Sequence, residues 1–478
     1  MTTATTATIP DARAPSGASP AGGNGGAFSS LARGADPDIR DILERALAEE
    51  EISERDARAL YAVPDADLHL VGMAADELRR RRVGDAASYV VNRNINFTNV
   101  CIKQCGFCAF SRDFRGEKEG YMLPVQEIVR RAREAHELGA TEVCIQAGLP
   151  PDMDGGLYEQ ICREIKREVP GIHIHGFSPE EILYGATRSG VPVEEFLARV
   201  KEAGVDTLPG TSAEILDQGL RDSISPGRIT ASDWERVIRG AHAAGLRTTS
   251  TMMFGHVETM RQRVAHMARI RDIQRETGGF TEFVPLNFVH TEAPMYIRGT
   301  HDNIRKGGSG RDVLLTHAIA RIMLNNYIDN IQMSWVKEGP GMSQILLRWG
   351  ANDFGGTLIN ESISTSAGSA YGQLLRPREI RRMIREAGRV PVERDTRYNI
   401  LRRFAPSDDD DGDDCYGDSH GGNGKAAAGL RSGSGPGPCS AKSDGLDSAD
   451  ASSFGSYAEL ITISKFRYQN PRGKKQSE

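Results

Sequence analysis

From Ser88 onward, apolar positions alternate between two periods. Short apolar or β-branched runs are followed by stretches with apolar residues at i, i+3, i+4 and i+7. The short runs predict strands at 89–97, 141–147, 172–177, 204–208, 247–253, 281–288, 330–336 and 355–359. The stretches between them predict amphipathic helices, among them VQEIVRRAREAHEL, LYEQICREIKREV, ASDWERVIRGAHAA and RDVLLTHAIARIMLNNY. Repeated βα units build a parallel sheet, and eight of them predict an α/β fold, a (β/α)8 TIM-type barrel with the helices outside. Ahead of it, DPDIRDILERALAEEEISERDARALYAV predicts two short amphipathic helices flanking the barrel, with Ser53 as the cap between them.

The pattern fails at both ends. MTTATTATIPDARAPSGASPAGGNGG is small and polar, and DDDDGDD with SGSGPGPCSAKSDG is acidic and Gly/Ser-rich. Neither buries enough apolar surface to fold. The expected organisation is therefore a disordered segment at 1–35, a helical flank at 36–83 and the barrel at 84–404. A disordered insertion at 405–452 and a short C-terminal segment with a basic tail at 453–478 complete it. Within the last segment, FGSYAELITISKFRY predicts a short helix that docks back on the barrel.

With 478 residues, 39% of them hydrophobic, the chain can bury a large core. A net charge of -6 from 59 basic and 65 acidic residues creates no field that would draw nucleic acid or an acidic membrane, so neither is an expected partner. There is no apolar run of about 18 residues and no secretory signal pattern. Three of the seven cysteines crowd one loop, while Cys144 and Cys162 fall in predicted buried elements. That distribution is not a disulfide framework, and a reducing cytoplasm is expected.

The crowded loop is NFTNVCIKQCGFCAFSRD, directly after the first strand, where Cys101, Cys105 and Cys108 form a CxxxCxxC spacing. Catalytic residues of such barrels sit at the C-terminal ends of strands. Three thiolates serve one metal site and leave a ligand position unfilled. Four-iron clusters normally take four cysteines, so a three-cysteine loop leaves one iron open for chemistry. Structural zinc is the alternative; it needs a closed fourth ligand, for which Cys144, His173 or His175 are available. Cys415 and Cys439 lie in the polar insertion and are not expected ligands.

The same strand-end rule gathers other polar residues. Gln146 ends the second strand, and His173 and His175 stand two apart on one face of the third. These histidines suit substrate binding or proton movement, or else a hydrogen-bonded filler role. In PGTSAEIL, Thr211 or Ser212 is expected to cap a helix with Glu214 in its first turn. His256 and Glu258 follow strand five, and Asn287, His290 and Glu292 follow strand six. Lys337 and Glu338 follow strand seven, and Asn360, Glu361 and Ser364 follow strand eight. Together they predict a polar pocket for an amino-acid backbone, a hydroxylated chain or a heterocycle. No acid–base residue can be assigned from sequence.

With Phe107 before the third cysteine, the loop resembles the CxxxCxΦC signature of radical S-adenosylmethionine (SAM) enzymes. The resemblance implies a [4Fe-4S] cluster on Cys101, Cys105 and Cys108 whose open iron binds SAM, which is consumed as a cosubstrate. It places Phe107, Gln146 and Glu214 on the cofactor side. More widely, VVNRNINFTNVC, ATEVCIQAGLPPDMDG, IHIHGFSPEEILYGATRSG, ISPGRIT, GGFTEFVPLNFVHTEAPMY and GANDFGGTLINESIS resemble the CofH-type subunit of FO (7,8-didemethyl-8-hydroxy-5-deazariboflavin) synthase. The match runs from Val83 to Arg397.

That resemblance implies a transferase of coenzyme F420 biosynthesis. It would cleave L-tyrosine at Cα–Cβ, add the 4-hydroxybenzyl fragment to C5 of 5-amino-6-(D-ribitylamino)uracil and release 2-iminoacetate. His173, His175, His256, Asn287, His290, Glu292 and Glu361 are the substrate-side candidates. A single CxxxCxxC further implies a separate CofG-type partner, and the chemistry implies a low-potential donor such as ferredoxin or flavodoxin. Menaquinone-pathway relatives, aminofutalosine synthase or the dehypoxanthine futalosine cyclase, share HIHGFSPEE and PGTSAE. The segments at 278–296 and 360–364 favour the deazaflavin enzyme. A noncatalytic iron–sulfur carrier would need a fully ligated cluster and no pocket.

Overall fold

The computed structural model describes Phe28 and residues 30–115, 119–405 and 444–469. Of the expected disordered segments, 1–27, 29 and 406–443 lie outside the described residues.

Ten strands form. β1 (Ala86–Val90) and β2 (Asn92–Ile95) are one run broken at Val91, followed by β3 (Glu142–Ile145), β4 (His173–Gly176) and β5 (Thr207–Leu208). Then come β6 (Arg247–Phe254), β7 (Phe280–Asn287), β8 (Asp353–Gly356), β9 (Val390–Arg394) and β10 (Ile400–Arg403). One sheet runs β2-β3-β4-β5-β6-β7, all parallel, and the other runs β10-β9-β1-β8. Between the sheets stand single parallel bridges, Arg93–Ile359, Phe283–Ile331 and Gln332–Asp353. The result is a curled, incompletely closed parallel sheet.

Differences from expectation have local causes. The run at 330–336 yields only the bridging Ile331 and Gln332 before the helical turn Trp335–Glu338 takes over. β5 is cut to two residues because Pro209 follows, which has no N–H for a ladder. β9 carries Pro391, a residue that argues against a strand when only sequence is read.

Helices sit where the 3.6-residue period placed them: Val125–Glu137, Gly155–Glu168, Ala231–Ala243 and Gly310–Leu324. Ahead of the sheet, Asp36 caps Pro37–Leu47, and Ser53 with Asp56 makes the capping box of Glu54–Tyr61. A further helix, Leu68–Val83, follows them.

At the C-terminal side, residues 444–452 depart from the expected disorder. They form the helix Asp444–Ser448, held by Arg376, whose guanidinium donates to the Leu446, Asp447 and Ala449 carbonyls at 2.6, 3.0 and 2.8 Å. The turn Tyr457–Leu460 then docks on the sheet, where Asn360 Nδ2 donates to the carbonyls of Phe454 and Gly455. No helix among the described residues is long and apolar enough to cross a membrane.

Candidate active site

Strand alternation aims every second side chain inward. Asn92, Asn94 and Asn96, then Glu142, Cys144 and Gln146, then Thr249, Thr251 and Met253, then Glu282, Val284 and Leu286 line one cavity of about 400 Å3. The loop after β2 closes one end with Cys101, Cys105, Phe107 and Cys108.

That loop is tied to three other segments. Ile102 N donates to Leu149 O at 2.9 Å, Gly106 N to Ile224 O at 2.8 Å, and Met295 N to Gly106 O at 2.7 Å. Gly148 lies flat against it, its N–H on Thr98 O at 2.9 Å, and a Cβ there would overlap the Val100 carbonyl. Because backbone cannot retreat as a side chain does, Gly148→Ala is expected to cost about 1–3 kcal/mol, read as a lower urea midpoint with an unchanged m-value.

All three cysteines are free thiols. Burial pushes the Cys105 thiol up to about 12 and raises that of Cys101, so both are neutral until a metal displaces the proton. Donors for the thiolate form are in place. Lys103 N reaches Cys101 Sγ at 3.4 Å, and Arg228 Nη1 reaches Cys105 Sγ at 3.0 Å.

Arg228 is the hub of this end. Its guanidinium also donates to Ser212 Oγ at 2.9 Å, lies 3.3 Å from Glu214 and 3.8 Å from Glu180, and stands 5.3 Å from the Phe107 ring centre. Glu214 is shared with Arg221 at 3.1 Å. These pairings overturn the expected cap. PGTSAEIL does not start a helix; Ser212 and Glu214 take positive φ angles of 65° and 41°, and the helix Gln218–Ile224 is capped by Asp217 instead. Glu214 is thus turned toward two arginines rather than into a first helical turn.

Gln146 sits between Thr211, whose Oγ1 donates to Oε1 at 2.8 Å, and Cys144, 3.3 Å from Nε2. His173 and His175 both meet Thr207 Oγ1, at 2.8 and 2.7 Å. Only His175 lines the cavity, and burial lowers it to about 4, which leaves it neutral. Asn287 lines the cavity while its amide bridges Gly308 N at 2.7 Å and Glu338 Oε2 at 3.1 Å. Glu361 lines it too, and its carboxylate accepts the N–H groups of Ile363, Ser364 and Thr365.

Besides His173, three further substrate-side candidates, His256, His290 and Glu292, lie outside the lining. His256 is fully buried with Nε2 3.1 Å from Met253 O, and its neighbour Glu258 is held by Arg263 at 2.7 Å and by Arg305. His290 packs edge-on against Tyr296, ring centres 4.6 Å apart, and Glu292 is exposed.

Sequence reasoning missed the opposite end altogether. The end of β9 and the segment after it bring Arg394 onto Asp353 at 2.5 and 2.8 Å, Thr396 onto Glu142 at 2.6 Å, and the Tyr398 hydroxyl onto Glu282. Burial pushes the Glu282 carboxyl up. No periodicity marks these residues.

Residues 95–270 match the Radical SAM superfamily model, and residues 277–406 match the CofH/MqnC C-terminal region. The 5-amino-6-(D-ribitylamino)uracil--L-tyrosine 4-hydroxyphenyl transferase of Methanothermobacter thermautotrophicus is 46% identical over 362 residues, 76% of this chain and 97% of that protein. That of Methanopyrus kandleri is 48% identical over 338 residues, 71% of this chain and 90% of that protein. The chain belongs to this transferase family.

For a member of the family, the chain spans part of one further kind of relative. FO synthase of Mycobacterium tuberculosis is 47% identical over 343 residues, 72% of this chain but 40% of that protein. Among solved structures, methylornithine synthase superposes with a TM-score of 0.58 at 17% identity, covering 73% of this chain and 97% of that one. HydG from Carboxydothermus hydrogenoformans gives 0.60 at 17% identity, covering 78% and 83%. These two show the fold alone.

A radical SAM domain implies an iron–sulfur cluster and SAM as cosubstrate, and the residues present fit that group. A cluster spreads its thiolate ligands over several metal atoms, and three free thiols line one cavity with hydrogen-bond donors aimed at two of them.

Proposed function

We propose that this chain cleaves L-tyrosine at Cα–Cβ, transfers the 4-hydroxybenzyl fragment to C5 of 5-amino-6-(D-ribitylamino)uracil and releases 2-iminoacetate, as a step in coenzyme F420 biosynthesis. What carries the proposal is a single cavity with three free cysteines at one end and hydrogen-bonding walls running to the other, in a chain 46–48% identical to transferases of that name. Bound to Cys101, Cys105 and Cys108, a [4Fe-4S] cluster would supply the electron that splits SAM reductively. Arg228 holds Cys105, Glu214 and Phe107 in one unit, so Phe107, Gln146 and Glu214 form the SAM side. His175, Asn287 and Glu361 form the substrate side; His173, His256, His290 and Glu292 support it from behind or from the rim. Enclosure by these walls would limit water access to the reaction, as a primary radical requires.

The three single bridges between the sheets support the finer reading of the fold as a (β/α)8-type barrel with one weakly paired position. A CofG-type enzyme would cyclise the product, ferredoxin or flavodoxin would deliver electrons, and the setting is the cytoplasm.

The test is anaerobic reconstitution with iron and sulfide, then incubation with SAM, dithionite, tyrosine and the ribityluracil. Mass spectrometry is expected to find the uracil carrying one 4-hydroxybenzyl group, together with 5′-deoxyadenosine. Deoxyadenosine formed only with a futalosine-type or enolpyruvyl substrate would move the chain to the menaquinone branch.

A further inference from the structure

Four side chains with a standing positive charge line the cavity: Lys103, Arg228, Lys337 and Arg394. Three already face carboxylates. Lys103 lies 3.3 Å from Glu180, Arg228 lies 3.3 Å from Glu214, and Arg394 grips Asp353 at 2.5 Å with Glu282 at 3.6 Å. Lys337 does not. Its ammonium donates to Ser364 Oγ at 3.1 Å, and no carboxylate of the described residues stands within ion-pairing distance of it.

The two carboxylates that act on Lys337 from farther off hold other partners, Glu361 through both oxygens and Glu338 through Oε2, while Glu338 Oε1 has none among the described residues. Glu361 accepts the Ile363 N–H at 3.1 Å, the Ser364 N–H at 2.9 Å and the Thr365 N–H at 3.3 Å. Glu338 accepts from Asn287 at 3.1 Å. A half-buried cation without a counter-charge is unfavourable, and burial accordingly lowers the Lys337 ammonium. An ammonium has three donors. Ser364 takes one, and the remainder are available to an anion in the cavity, as is the Ser364 hydroxyl proton.

Charge selects the ligand. Under the tyrosine reading above, on which this step rests, two molecules bring a carboxylate, SAM and the amino acid, while the ribityluracil brings no full negative charge. SAM belongs with the cysteine loop and with Glu214 and Arg228, which follow β5. Lys337 and Ser364 stand after β7 and β8.

We infer that Lys337, with Ser364 beside it, anchors the carboxylate of the amino-acid substrate. The carboxylate stays with the two-carbon half that leaves as 2-iminoacetate. Holding it fixes Cα and the amino group, while the 4-hydroxybenzyl half has no charge tether and is free to reach the uracil. Lys337 is in this sense a positioning and specificity-determining residue.

The experiment compares binding of L-tyrosine with that of tyramine, the same molecule without its carboxylate, by equilibrium dialysis on the reconstituted full-length protein. Hydrogen bonds to charged groups correspond to about a 10- to 100-fold preference for tyrosine in the wild-type protein. Lys337→Met is expected to erase that preference, with tyramine affinity and the KM for the ribityluracil within about twofold of wild type. Lys337→Arg is expected to restore most of it. A Lys337→Met protein that still prefers tyrosine by the wild-type factor overturns the assignment, as does an equal loss for tyramine or a raised KM for the uracil alone. Should Lys337→Met not fold, Lys337→Gln takes its place with the same expectations. Wild-type protein that makes no adduct sinks the transferase reading; wild-type protein that makes it, beside a Lys337→Met protein of unchanged preference, sinks only the anchor.

Discussion

Arg228→Met is expected to lower folding stability by about 3–5 kcal/mol and to leave the chain nearly free of iron after anaerobic reconstitution. The guanidinium touches Cys105, Ser212, Glu214 and Glu180 together. Methionine fills much of the volume and removes the charge. Two carboxylates whose side chains are each 8% exposed then lose a counter-ion. Each keeps one cationic partner, Arg221 for Glu214 and Lys103 for Glu180, which places the loss toward the lower figure. The Cys105 thiolate loses its donor, and the Phe107 ring loses the cation beside it. Arg228→Lys keeps the charge but cannot span four partners with a planar fork, so intermediate iron content is expected. Iron per chain and the urea midpoint read the two effects separately. A variant with wild-type values of both would show that Arg228 is incidental to the loop.

What the sequence made legible was local. Helices such as Ala231–Ala243 carry their own period and cap, Thr230 with Asp233, within a few residues. The cysteine loop announced itself by spacing. The losses came wherever distant charge decided the outcome. Glu214 reads as a first-turn helix acid until Arg221 and Arg228 fold back on it. His256 and Glu258 follow a strand and so read as pocket residues, yet Arg263, Arg305 and Asp312 bury them in a separate ionic knot. The cavity floor depends on Thr396 meeting Glu142, 254 positions away, and on Tyr398 meeting Glu282, 116 away. Neither pairing leaves a trace in the neighbouring sequence. Pro391 disguised the strand that delivers them.

Arg263→Leu isolates the second of these charge clusters, and its expected cost at neutral pH is about 3–5 kcal/mol. Arg263 has no exposed side-chain surface. It pairs with Glu258 at 2.7 Å and Asp312 at 3.1 Å, and stands 5.1 Å from the ring centre of Phe254 and 5.8 Å from that of Tyr61. Leucine leaves the Glu258 carboxylate, itself fully buried, with Arg305 as its remaining guanidinium partner. The sign with pH follows. Burial alone would raise Glu258, but the neighbouring His256, then the Arg263 and Arg305 guanidiniums and the Gly255 N–H, outweigh it and hold the carboxyl down at about 2. A folded value below the unfolded one gives stability that is present above the usual carboxylate range and is lost as pH falls toward 2. In the leucine variant that carboxyl rises toward its unfolded value, so its share of the acid loss shrinks. Urea midpoints taken from pH 7 down to about 3 should therefore show wild type and variant farthest apart near neutrality and converging in acid. Because Arg263 and Glu258 lie outside the cavity lining, the folded variant, assayed well below its midpoint, is expected to keep the KM values of wild type for tyrosine and for the uracil. A gap independent of pH would show that packing rather than charge sets the cost. An altered KM in fully folded protein would return His256 and Glu258 to the substrate site.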